Sequence, residues 1–115
     1  MTAKGIEGEI IVAGYVSFAS GEIDRLQPQM QEVIAASRAE PGCLDYTYAR
    51  LLEDPDTIRI FERWCDADAL RNHFLNEPVV RWVMVLTKAD VLSRDVSAHS
   101  VSGTHTLREF RDLPD

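Results

Sequence analysis

Between Glu9 and Phe18 the chain reads EIIVAGYVSF. Period-two alternation puts Ile10, Val12, Val16 and Phe18 on one face of a strand and Ile11, Ala13 and Tyr15 on the other. Both faces are apolar, so both are expected to be covered. From Ser20 the period changes. In SGEIDRLQPQMQEVIAASRAE, Ile23, Leu26, Met30, Val33 and Ile34 recur at helical spacing with charges between them, which predicts a helix capped by Ser20 and ended by Pro41-Gly42. Pro28 lacks a backbone donor and crowds the preceding turn, so this helix either bends there or begins its regular part nearby.

Two strand-like runs follow, CLDYTYARL (43–51) and TIRIFERWC (57–65), joined across a turn rich in Asp and Pro. A hairpin centred on residue 54 sets Asp45 opposite Arg63, Tyr46 opposite Glu62, Leu44 opposite Trp64 and Tyr48 opposite Ile60. The unlike charges of Asp45 and Arg63 support that register by roughly a few tenths of a kcal/mol. One face then holds Leu44, Tyr46, Tyr48, Ile58, Ile60, Glu62 and Trp64, and this bulkier face is expected under the helices. The other holds Cys43, Asp45, Thr47, Ala49, Arg59, Phe61, Arg63 and Cys65.

Asp66 is placed to cap a helix in ADALRNHFLN, with Asp68 complementing its dipole and Ala67, Leu70 and Phe74 as its apolar stripe. Pro78 then opens a further helix, VVRWVMVLTKAD, which is apolar on most sides and expected to be well buried. VLSRDVSAHSV reads as a final strand. The order β-α-β-β-α-β, with the second helix broken near Pro78, predicts a ferredoxin-like α+β fold: an antiparallel sheet with helices on one face. Ile11, Ala13, Tyr15 and Phe61 would lie on the other face, so a homodimer packed sheet against sheet is expected. Residues 1–103 make the domain, and 104–115 form an extension that frays or packs on the partner subunit.

Length and charge narrow the function. A chain of 115 residues with 45% hydrophobic content fits one soluble domain. The net charge of -7 argues against a nucleic-acid partner, because phosphate binding needs clustered Lys and Arg. No run approaches the roughly 18 apolar residues of a membrane span, and MTAKGIEGEI lacks a signal-peptide core, so a cytoplasmic location away from membranes is expected. Cys43 and Cys65 are too few and too far apart in sequence for a zinc module, and no CxxC or HxxxH spacing joins them to His73, His99 or His105. They fall nearly opposite each other in the hairpin and are expected as reduced thiols. No metal is expected.

EPGCLDYTYAR, a short acidic turn containing Asp-Pro, IFERWCDADALRNHF and the Pro-led helix together resemble the antibiotic biosynthesis monooxygenase family, dimeric α+β barrels that include small quinol monooxygenases. The resemblance runs from about residue 9 to 101. Its strongest pieces are EPGC at 40–43, Glu62 and Trp64 in E-x-W, and His73 nine positions beyond that tryptophan. The family often adds a second histidine in a Ser/Thr-Pro-His context. Here Glu77 precedes Pro78 and Val79 follows it, so that histidine's role is not carried over.

The resemblance implies oxygenation of a phenol or quinol by O2 without flavin, heme or metal, the deprotonated substrate supplying the electrons. In such chemistry the protein binds the ring in a dry pocket, takes a proton and stabilises an oxyanion. No GxGxxG, P-loop or CxxCH motif is present. The alternative is a dimeric protein that binds a small molecule in the same pocket without turnover.

His73 lies about a quarter turn from the centre of its helix stripe and reads as either the general base or a hydrogen-bonded spacer. Glu62, facing the helices beside Trp64, is either a second proton-transfer group with a raised pKa or a structural partner of Tyr46 or a backbone amide. Trp64, Tyr46 and Tyr48 are pocket walls or core. Trp82, Val83 and Leu86 would complete the wall, and Arg81 is an oxyanion partner or a surface ion pair.

Overall fold

The computed structural model describes residues 5–111. They form a single antiparallel sheet of four strands in the order β2-β3-β1-β4, with β1 at Glu9–Phe18, β2 at Cys43–Arg50, β3 at Thr57–Trp64 and β4 at Val91–Val101. Helices α1 (Glu22–Arg38), α2 (Ala67–His73) and α3 (Glu77–Lys88) pack on one face, giving the ferredoxin-like α+β order expected from the sequence. Among the described residues no helix is long and apolar enough to cross a membrane.

α1 runs unbroken through Pro28. Pro28 and Asp24, whose carbonyl loses its donor, both lie on the exposed side, where water can take over that bond. The helix does not use Ser20 as its cap. Gly21 is the N-cap residue, at φ 82°, a left-handed conformation that turns the chain out of β1, and it makes no side-chain cap hydrogen bond. Ile23, Leu26, Met30 and Val33 are buried against Val16, Phe18 and Ile58 of the sheet and Val79 and Trp82 of α3.

The hairpin register matches the expectation at Asp45↔Arg63, Tyr46↔Glu62 and Tyr48↔Ile60. At its open end it differs. Cys43 pairs with Trp64, so Leu44 is squeezed out as a bulge residue and stands half-exposed instead of facing Trp64. Both cysteines are free thiols. Asp66 caps α2 as expected, accepting from the Ala69 amide at 2.8 Å.

Two expectations about the later helices are corrected. The stripe of α2 runs through Ala67 and His73, both buried, whereas Phe74 is 56% exposed, because the helix ends at His73 and Phe74 caps it. In α3 only Val79 and Trp82 are buried, and Val80, Val83 and Met84 are exposed. The reason is lateral: α3 packs on α1, and β4, next to β1 at the sheet edge, keeps its helix-side residues largely uncovered. The four residues 112–115 of the expected extension lie outside the described residues. Before them, Leu107–Phe110 form one 3-10 turn closed by a Thr106–Glu109 capping box.

Candidate active site

Tyr46, Tyr48, Ile60 and Glu62 face the helices because the β2–β3 register alternates them with Thr47, Phe61 and Arg63. Val12 and Val16 of β1 stand beside them. Over these residues α3 brings Val79, Trp82, Val83 and Leu86, the α2 end brings His73 and Phe74, and β4 adds Arg94 and Val96. Together they enclose a cavity of about 240 Å³.

His73 is only 2% exposed, a burial that an imidazole tolerates when its nitrogens are satisfied. Its Nδ1 lies 3.1 Å and 2.9 Å from the two carboxylate oxygens of Glu40, in the turn between α1 and β2. With Nδ1–H donating to that carboxylate, the neutral tautomer leaves the Nε2 lone pair free. Nε2 has no protein partner among the described residues, and the ring borders the cavity. Trp64 and Tyr46 hold the ring, with centroids 4.7 Å and 5.4 Å from it, and the Phe74 ring meets it edge-on at 5.1 Å.

Glu62 is 7% exposed, and its Oε1 accepts from the Trp64 indole Nε1 at 3.0 Å. Burial pushes its carboxyl up to about 7; the indole bond opposes that rise and the nearby Glu40 adds to it. At neutral pH Glu62 is therefore shared between an acid able to donate and a carboxylate able to accept. The Tyr46 and Tyr48 hydroxyls meet at 3.0 Å, and the Trp82 indole donates to the Tyr48 hydroxyl at 3.2 Å. Burial raises both phenols, Tyr48 to about 12, so both stay neutral hydrogen-bonding groups.

Of the residues singled out in the sequence, His73, Glu62, Tyr46, Tyr48, Trp82, Val83 and Leu86 come together at this cavity. Trp64 does not line it. The indole is completely buried behind His73 and acts there as core and as the donor to Glu62. Arg81 does not reach it either. The arginine lies on the outer side of α3, in ion pairs with Glu32 at 2.7 Å and Glu77 at 2.6 Å, the surface fate weighed for it.

Glu40 and Arg94 were missed. Glu40 belongs to the EPGC stretch, whose turn character masked a carboxylate aimed at a residue 33 positions away. Arg94 sits in a strand with little hydrophobic pattern, and only the pairing Val16↔Arg94 puts it on the helix side.

A second, larger space of about 330 Å³ opens beyond Phe74, lined by Ile6, Ile10, Ala67, Leu70, Arg71, Ala98, His99 and Ser100. It contains no buried acid and no aromatic hydroxyl, and its titratable side chains are Arg71 and His99.

A family model described as antibiotic biosynthesis monooxygenase matches residues 9–84, which include the hairpin, Glu40, Glu62 and His73. The chain belongs to the antibiotic biosynthesis monooxygenase family. An uncharacterized Synechocystis protein is 26% identical over 106 residues, spanning 90% of this chain and 71% of its own length. Among solved structures, a candidate antibiotic biosynthesis monooxygenase from Deinococcus radiodurans superposes with a TM-score of 0.77 at 23% identity, over 84% of this chain and 96% of that one. A protein from Mycobacterium tuberculosis gives 0.75 at 16% identity, over 85% and 99%. At these identities the superpositions establish the shared fold.

Proposed function

We propose that the protein is a monooxygenase acting on a small phenol or quinol with O2, using the substrate's own electrons, with His73 as base and Glu62 as the second proton-transfer group. The observation that carries this reading is the Glu40–His73 pair: a buried imidazole held at Nδ1, whose ring lines an aromatic-walled cavity that also holds Glu62. The reading accounts for why a polar cluster is buried at the end of α2, where an apolar residue would pack at less cost.

The steps follow from these groups. A ring of one or two fused cycles enters between Tyr46, Tyr48 and Trp82. His73 Nε2 takes the hydroxyl proton. The phenolate passes one electron to O2, and the resulting radical and superoxide combine at a ring carbon bearing hydrogen. Protonated Glu62 supplies a proton to the peroxide. Loss of the ring hydrogen as a proton and of hydroxide from the O–O bond then leaves a quinone carbonyl and one water. One oxygen atom of O2 ends in the ring and the other in water, so a phenol plus O2 balances a quinone plus water. The low-polarity walls keep bulk water from the phenolate and the peroxide.

The working form is a homodimer in this proposal. Ile11, Ala13 and Phe61 are only partly covered on the sheet face away from the helices, and Tyr15 is exposed there with Arg59 stacked 5.1 Å over its ring. A second sheet would bury them.

Oxygen uptake with hydroquinones and naphthols tests the reaction, with His73→Ala as control. Uptake above autoxidation that His73→Ala abolishes supports it. Uptake equal to autoxidation for every compound, while ligands still raise the melting temperature, leaves a binding protein.

A further inference from the structure

We infer that the cavity selects aromatic ligands carrying an anionic substituent, with Arg94 at its rim as the recognising group. The inference rests on the reading of this cavity as the ligand site and deepens it by naming the ligand class.

Three observations lead there. The first is the state of the guanidinium. Arg25, Arg50, Arg63 and Arg81 each lie against a carboxylate, whereas Arg94 has no acidic partner among the described residues and borders the cavity. The second is the balance of polar groups inside. Glu62 and the two tyrosine hydroxyls offer no positive charge, and the imidazole is already matched by Glu40. In a chain of net charge -7, an unmatched cation at such a rim has no structural duty and suits a ligand anion.

The third is distance. Val12 pairs with Glu62, and Val16 pairs with Arg94, so the two groups are four residues apart along β1 and lie on its opposite neighbours. That separates their backbones by roughly 13 Å along the strands and about 10 Å across them. Both side chains rise on the helix side of the sheet and line one cavity, so a ligand of one or two fused rings fits between them. A carboxylate or sulfonate would be drawn to Arg94. Its ring hydroxyl, at the opposite end, is thereby delivered to His73 and Glu62. Arg94 is thus a specificity residue that fixes which end of the ligand enters first.

Calorimetric titration with matched pairs, 4-hydroxybenzoate against phenol and 6-hydroxy-2-naphthoate against 2-naphthol, tests this. The acid should bind about tenfold tighter than its neutral partner, a margin that shrinks as salt rises. Arg94→Gln should erase the margin, the acid's affinity falling to that of its neutral partner. Arg94→Lys should keep part of it, and Arg81→Gln, on the outer side of α3, all of it. Because Arg94 is exposed on an edge strand, its two variants should keep the parent melting temperature, which thermal unfolding of the same samples measures. Equal affinities in the parent protein, or a margin that survives in Arg94→Gln, overturns the inference. Absence of binding by every compound overturns it together with the cavity assignment. A margin that depends on Arg94 without any oxygen uptake upholds it and removes only the monooxygenase reading.

Discussion

Glu40 and His73 meet in the interior with both carboxylate oxygens within 3.1 Å of one imidazole nitrogen, although one residue lies in the turn after α1 and the other ends α2. The contact joins the two halves of the fold and sets the imidazole tautomer in the same stroke. Two roles follow from it, a structural one and a chemical one, and substitution can separate them.

Glu40→Ala leaves the buried imidazole without its partner and should lower stability by about 3 kcal/mol. Glu40→Gln keeps an acceptor for Nδ1–H and should lose about 1 kcal/mol. If Glu40 also orients the base, Glu40→Gln should reduce kcat far more than its modest loss of stability suggests, as happens when the group that orients a catalytic imidazole is replaced by its amide. Urea unfolding and oxygen uptake on the same preparations separate the two effects. Unchanged kcat in a folded Glu40→Gln protein would confine Glu40 to structure.

How much of this was legible beforehand varies by element. The hairpin register could be read because side-chain alternation and the Asp45/Arg63 pair constrain it together, and it failed only at Leu44, where a bulge answers to the neighbouring turn and not to the alternation. The cavity's floor followed from that register. Its lid and rim did not. His73 was read as a boundary residue because the pattern of α2 includes Phe74, and only the tertiary partner Glu40 makes the histidine's burial tolerable. Arg81 and Arg94 look alike in one dimension; helix phase and strand pairing send one outward and the other to the cavity.

Gly14 is the point where the cavity's floor depends on an absent side chain. A Cβ there would overlap the Asp95 carbonyl oxygen and stand 2.6 Å from Val96 Cα, both backbone atoms of β4. Neither can yield without parting β4 from β1. Gly14→Ala should therefore cost at least about 2 to 3 kcal/mol, at the upper end of what overpacking costs. It should also displace Arg94 and Val96 from the rim. Thermal unfolding measures the first effect, and loss of the anion preference the second. A melting temperature equal to that of the parent would mean that β4 sits farther from β1 than described.

The proposed dimer predicts a mass twice the 13.0 kDa of the chain by light scattering at micromolar concentration. Phe61→Glu places a charge at the centre of the sheet face that the dimer would cover, while the Phe61 position makes no part of the cavity lining. It should shift the mass to that of one chain and leave the far-ultraviolet circular dichroism unchanged. A parent protein that already scatters as a single chain would reject the dimer.

Glu62 gives the chain a pH dependence whose sign is fixed by burial. Its carboxyl rises from 4.5 to about 7 on folding, so between those values the folded state holds a proton that the unfolded state has released. Stability from this group is complete below about pH 4.5 and is lost as pH rises through 7, by on the order of 3 kcal/mol in all. Glu62→Gln keeps an acceptor for the Trp64 indole and removes the titration. The difference in unfolding free energy between parent and Glu62→Gln should therefore move in favour of the variant from pH 4.5 to 8. Trp64→Phe acts in the opposite sense: without the indole donor the carboxylate loses a bond that stabilises its charged form, and the transition shifts to higher pH. If Glu62 donates its proton in turnover, kcat should fall above about pH 7 in the parent and follow the stability transition upward in Trp64→Phe. A flat stability difference between parent and Glu62→Gln across this range would show that Glu62 titrates as an ordinary carboxylate and cannot serve as the acid.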